Sequence, residues 1–130
     1  MKAAIFREYE APVEIAEVAA SSEITPAPVD SRKRWLHYGS SISQCIEANR
    51  PMDAWALRAA HLLNLNITNF GLAGQCQLDG FVARAMASLP ADLITLKIGI
   101  NIVNADSMRE RAFIPGVHNF LDILRESAPQ

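Results

Sequence analysis

The chain has 130 residues, a length that suits one domain. Half of the residues are hydrophobic, a fifth are charged and the net charge is −2, which excludes a disordered chain and gives no electrostatic basis for nucleic acid or an anionic membrane as partner. No apolar run approaches the roughly 20 residues needed to cross a bilayer, and Arg7, Glu8 and Glu10 stand where a signal peptide would need its apolar core, so a cytoplasmic protein without a membrane partner is expected.

Residues 1–20 read as a β segment of two short strands, Lys2–Phe6 and Val13–Val18, with Pro12 at the turn. Residues 21–34 carry two prolines and three serines and end in the basic cluster Arg32–Arg34, which reads as a linker with a solvated strand entrance. From residue 35 to the end the pattern is that of a layered domain. Trp35–Tyr38 is a short strand that stops at Gly39. Pro51–Leu63 is a helix, with Pro51 in its first turn and Trp55, Ala59, Leu62 and Leu63 on one face. Ile67–Phe70 is a strand ending at Gly71. Leu78–Leu89 is a helix, with Phe81, Val82, Ala85 and Met86 at helical spacing and Pro90 after its end. Asp92–Ile98 is a strand ending at Gly99. Ser107–Glu126 is helical in pattern, with Pro115 and Gly116 placed to kink or break it.

Strand and helix alternate three times, which calls for an α/β fold: a parallel sheet with helices on both faces. Each strand runs straight into glycine and small polar residues. Ligands of open α/β sheets bind beyond the carboxyl ends of the strands, so the three loops should gather at one edge, where the chemistry is to be sought.

The first loop is Gly39-Ser40-Ser41-Ile42-Ser43. A serine on a tight strand-to-helix turn exposes its hydroxyl, and nearby backbone N–H groups can face a developing negative charge. Alone it is a weak signal and reads first as a solvated turn. The second loop runs from Asn69 to Gln75, where Gly71 and Gly74 let backbone approach a bound group. It has neither the glycine spacing of a dinucleotide site nor the following Lys-Ser/Thr of a phosphate loop. The third loop is Gly99-Ile100-Asn101, whose asparagine amide can donate to an oxyanion or serve as an ordinary cap.

Together, in the order Ser, Gly, Asn and each after its own strand, these loops resemble the SGNH/GDSL serine hydrolases. That family carries Ser in a G-D-S-x-S/T block, Gly in an N-x-G-x-x-G block and Asn in a G-x-N block, and residues 39–43, 69–74 and 99–101 match them. The resemblance covers about residues 33–126. It implies a flavodoxin-like three-layer α/β/α fold, present in part, that cleaves a small-molecule ester through an acyl-enzyme without cofactor or metal. It implies Ser41 as nucleophile, with the N–H groups of Ser41 and Gly74 and the amide of Asn101 as oxyanion hole.

The chain departs from the pattern in places. Ser40 replaces the aspartate of the first block, from which an altered loop geometry is expected, and Ile102 replaces the aspartate that often follows the asparagine. The family's final Asp-x-x-His block does not occur. His37, His61 and His118 read as structural or surface residues, and Asp79 as a helix cap. Weak or absent activity, and self-association through an uncovered edge of the 92–98 strand, follow as expectations. Cys45 and Cys76 read as small buried hydrophobes. Residues 1–20 separately resemble the opening of a zinc-dependent medium-chain alcohol dehydrogenase, without that family's metal ligands or nucleotide-binding glycines. The alternatives are therefore a non-catalytic α/β binding module and an oxidoreductase fragment.

Overall fold

The structure is a computed structural model that describes residues 26 and 28–127, together with the backbone of two earlier strands. Contacts divide the chain into two units, Met1–Ser31 and Arg32–Gln130. In the first, β1 (Lys2–Ile5) pairs antiparallel with β2 (Glu14–Glu17), Lys2 opposite Glu17 and Ile5 opposite Glu14. The other expected strand ends, Phe6, Val13 and Val18, and the turn at Pro12 lie outside the described residues.

The second unit contains a parallel sheet of three strands in the order β4–β3–β5. Strand β3 (Arg34–Gly39) lies between β4 (Asn66–Gly71) and β5 (Leu93–Lys97). Gly39 stands level with Gly71 on one side and Lys97 on the other, so the carboxyl ends stop together. At the opposite end Arg34 anchors the start of β3: its backbone N–H and guanidinium both donate to Asp92 Oδ2, at 2.7 and 3.3 Å. Those bonds, the backbone one first, hold the Asp92 carboxyl below its ordinary range. The basic cluster is thus a fastening for the strand entrance as well as a solvated surface: Arg32 donates to the Leu65 carbonyl, and the Lys33 carbonyl accepts from Asn66.

Every β3 residue after Arg34 is buried, as a central strand requires. The pleat sends alternate side chains to opposite faces. Leu36 and Tyr38 join Val82, Ala83, Met86, Ile102, Phe120 and Leu124, on α3 (Gly80–Ala87), α4 (Ile100–Ala105) and α5 (Glu110–Glu126). Trp35 packs on the other face against Ala56 and Ala60 of α2 (Trp55–Leu62). The result is the expected α/β fold, helices on both faces of an incomplete parallel sheet.

The helices differ from their sequence reading in instructive ways. The expected helix at 51–63 is a short 3-10 turn, Pro51–Asp53, and then α2; Ala54 between them leaves helical backbone at ψ 130°. Its buried face is also the other one. Ala56 and Ala60 are buried, while Trp55, Leu62 and Leu63 are exposed, because the face of α2 that meets the Trp35 ring is the one carrying the two alanines. In α3 the buried residues are Val82, Ala83 and Met86, and Phe81 is exposed. The pattern at 107–126 starts as a helix only at Glu110, and α4 precedes it. Pro115 neither breaks nor ends α5. Its ring fixes a helical φ, and the lost N–H would have served the Arg111 carbonyl one turn back, where both residues are exposed and water can substitute.

Tyr38 and Phe120, both fully buried, stack with centroids 4.9 Å apart and join β3 to α5. Phe120→Ala should lower the unfolding free energy by about 3–5 kcal/mol, through lost burial plus the cavity left behind. Urea denaturation should show this as a lower midpoint at unchanged slope.

Candidate active site

The first loop follows β3 directly and opens α1 (Ser41–Gln44), a single helical turn. Its three serines have different surroundings. Ser40 is 0% exposed and caps the turn, its Oγ accepting from the Ile42 N–H at 3.3 Å. Ser43 is also 0% exposed, with its Oγ 2.8 Å from His37 Nε2. Ser41 alone of the three is not buried. It lines a surface pocket of about 400 Å³ with Ile42, Cys45, Ile46, Glu47 and Trp55.

The second loop is tied to the first by three bonds. Leu72 N–H donates to the Gly39 carbonyl at 2.8 Å, Asn69 Nδ2 to the Ser43 carbonyl at 2.8 Å, and Ala73 N–H to Gln44 Oε1 at 3.1 Å. Gly71 is needed for this contact, since a Cβ there would run into the backbone of Ser43 and Gln44. Its small size serves the packing of the two loops. Gly74, by contrast, is exposed, with open space where a side chain would stand.

The third loop is tied to the second. Asn101, 8% exposed, accepts on Oδ1 from the Cys76 N–H at 3.1 Å. That bond orients the amide: its oxygen is committed to Cys76, so its N–H groups are the ones available to donate elsewhere. Gln77 Nε2 reaches both the Asn101 carbonyl at 3.3 Å and the Gly74 carbonyl at 3.4 Å, and Gln77 Oε1 accepts from Ser107 Oγ at 2.6 Å. All three loops therefore lie at one sheet edge and are bonded in series. Ser41, Gly74 and Asn101 sit on the three loops so joined.

Sequence reasoning did not find the roles of Gln77, Asn69 and His37. His37 is 2% exposed and has Thr95 Oγ1 at 2.7 Å from Nδ1 as well as Ser43 at Nε2. Burial pushes its pKa down, Lys97 adds to the effect, and a hydrogen bond to the Thr95 backbone offsets part of it. The signal was present in the alternation that puts residue 37 on the Trp35 face. His61 and His118 are exposed. Asp79 occupies the N-cap position of α3, but its side chain makes no capping bond. Both cysteines are free thiols. Cys76 is buried, which raises its pKa; Cys45 is only half-buried and has a positive φ of 57°. Among the described residues no cluster of three His, Cys, Asp or Glu side chains could hold a metal ion, and no helix is long and apolar enough to cross a membrane.

A family model described as GDSL-like lipase/acylhydrolase matches residues 32–130. The chain belongs to that family. A solved structure described as "Salicylyl-Acyltransferase SsfX3 from a Tetracycline Biosynthetic Pathway" is similar at 32% identity and a TM-score of 0.68. The match covers 75% of this chain and 27% of that one, so this chain spans about a quarter of the length of that solved structure. No curated protein matches. The match to the family starts at residue 32, at the boundary between the two units. The GDSL-like family and the solved structure fit the parallel sheet flanked by helices. Ser40 is a buried cap of the first loop.

The lowered pKa of His37 makes stability depend on pH. The unfolded chain takes up the proton first, near the ordinary value of 6.5, while the folded ring stays neutral to lower pH. The native state is therefore at full advantage above pH 6.5 and loses it as pH falls from there through the folded value. Unfolding free energies measured by denaturant at pH values from about 7 to about 5 should fall in the parent chain, and much less in His37→Gln. Equal slopes would show that His37 carries no such linkage.

Proposed function

We propose that this chain carries the nucleophile and oxyanion hole of a serine acyl hydrolase or acyltransferase acting on a small-molecule ester. The observation that carries the reading is the contrast among the three loop serines: Ser40 and Ser43 are buried and bonded, and Ser41 is the one with an accessible side of the turn. In this reading Ser41 Oγ attacks the ester carbonyl. The N–H groups of Ser41 and Gly74 and the Asn101 amide receive the oxyanion, and the alcohol leaves to give an acyl-serine. Fixed donors of this kind are worth about 3–4 kcal/mol each where water is excluded. The tie between Cys76 and Asn101 supports it by orienting the amide before any substrate arrives.

The acyl group can then pass to water or to another alcohol. Membership of a lipase/acylhydrolase family and likeness to an acyltransferase fit both outcomes. Either needs a base for the Ser41 hydroxyl. His37 is committed to Ser43 and Thr95, and the chain contains no Asp-x-x-His block.

Two measurements test this reading. The 130-residue chain alone should show at most trace turnover of p-nitrophenyl acetate, since loss of the base from such a triad costs roughly 10⁶ and the remaining machinery leaves about 10³–10⁴ over water. A longer form bearing an Asp-x-x-His block should be active, and Ser41→Ala should abolish that activity. Full turnover of the longer form with Ser41→Ala would end the assignment of Ser41. The second measurement concerns association. We also propose that the apolar outer edge of β5, which has no strand partner among the described residues, pairs with a second copy. Sedimentation should then show concentration-dependent association, and a monomer at high concentration would reject it.

A further inference from the structure

His37 sits at the centre of a set of bonds that converge on the first loop. Its Nε2 is 2.8 Å from Ser43 Oγ and its Nδ1 is 2.7 Å from Thr95 Oγ1. Thr95 Oγ1 in turn accepts the Trp35 indole N–H at 2.8 Å, so the ring is referenced to two strands at once. Trp35 and Trp55 flank it, with centroids 5.7 and 5.1 Å away, the second edge-on at 80°. The same Trp55 donates its indole N–H to the Ile42 carbonyl at 2.9 Å. Asn69 from β4 holds the Ser43 carbonyl. The turn that carries Ser41 is thus gripped just after that residue by α2, β3 and β4 together. Gly39 leaves the space: a Cβ there would collide with the Ser43 side chain and lie 3.2 Å from His37 Nε2.

We propose that His37 is a positioning residue for the Ser41 loop: through Ser43 it fixes the single turn of α1 and so the direction in which the Ser41 hydroxyl is presented. The inference rests on the reading of Ser41 as nucleophile. His37 does not act as the base, because its Nε2 is occupied by a serine that no substrate can reach. What it supplies is rigidity. One helical turn is too short to hold itself in water, and a buried hydroxyl with a fixed partner leaves the turn one orientation instead of several.

The two ring nitrogens can be separated by substitution. Glutamine places its amide nitrogen near the position of Nε2 and can keep the bond to Ser43. Asparagine reaches only the position of Nδ1, so it keeps Thr95 and drops Ser43. The test is NMR on the ¹⁵N-labelled 130-residue chain, with His37→Gln, His37→Asn and Ser43→Ala. At pH 7 the parent His37 ring should show one protonated and one unprotonated nitrogen. The amide signals of residues 40–45 should keep their positions in His37→Gln. They should move in His37→Asn and Ser43→Ala, with exchange of the Ser43 and Gln44 amides about tenfold faster, the effect of losing one buried bond in a local opening. Unmoved loop signals in His37→Asn and Ser43→Ala would overturn the proposal, as would a disturbance in His37→Gln equal to that in His37→Asn. Should His37→Asn fail to fold, Ser43→Ala, which removes one oxygen, decides alone. Turnover plays no part in this readout, so an unreactive Ser41 and an unpositioned loop would be told apart.

Discussion

Strand β3 is paired along both edges and covered on both faces, and each part of the described sheet takes its place from that. A strand with no side open to water must find partners for its backbone groups in its neighbours. β4 and β5 supply them in parallel register, Arg34 beside Asn66 and Gly39 beside both Gly71 and Lys97. Because the three strands end level, the chain must leave all of them at the same edge. The pleat then divides the side chains, Leu36 and Tyr38 toward α3, α4 and α5, Trp35 toward α2. The shared loop edge exists as a consequence of this pairing before any polar side chain is considered.

Acyl transfer needs donors that do not reorganise as charge appears. The loops here contain little regular structure, so their rigidity has to come from bonds between side chains and backbone. The Gly39 carbonyl, the Ser43 carbonyl and Gln44 Oε1 bind the first loop to the second. Asn101 and Gln77 bind the second to the third. The residue at position 40 illustrates the logic. A carboxylate buried there would need a compensating charge or several donors, whereas the Ser40 hydroxyl is satisfied by the Ile42 N–H. A small neutral cap keeps the turn without adding a buried charge beside the proposed nucleophile.

Burial of small residues matters as much as burial of large ones. Ala56 and Ala60 are nearly inaccessible beneath Trp35, while Leu62 and Leu63 face outward. A sheet face carrying a broad indole leaves shallow space for the helix above it. Close packing then favours methyl-sized side chains over branched ones.

The sequence by itself determined the order and type of the sheet-forming elements. Short apolar runs that end in glycine identify β3, β4 and β5, and their alternation with helical patterns implies a parallel sheet. The spacing of the Ser, Gly and Asn blocks marked the loops that share an edge. Local pattern could do this because strand periodicity and glycine turns are properties of neighbouring residues. It could not say which face of α2 or α3 is buried, since that depends on what the facing strand presents. Nor could it show that Pro115 would be carried inside α5, which the packing of Phe120 and Leu124 outweighs. The bond between His37 and Ser43, and those joining Trp35 and His37 to Thr95, link residues 6, 60 and 58 positions apart. Only the pairing of β3 with β5 and the turn of α1 bring those atoms within reach, because hydrogen bonds act over a few ångströms of space and not along the chain.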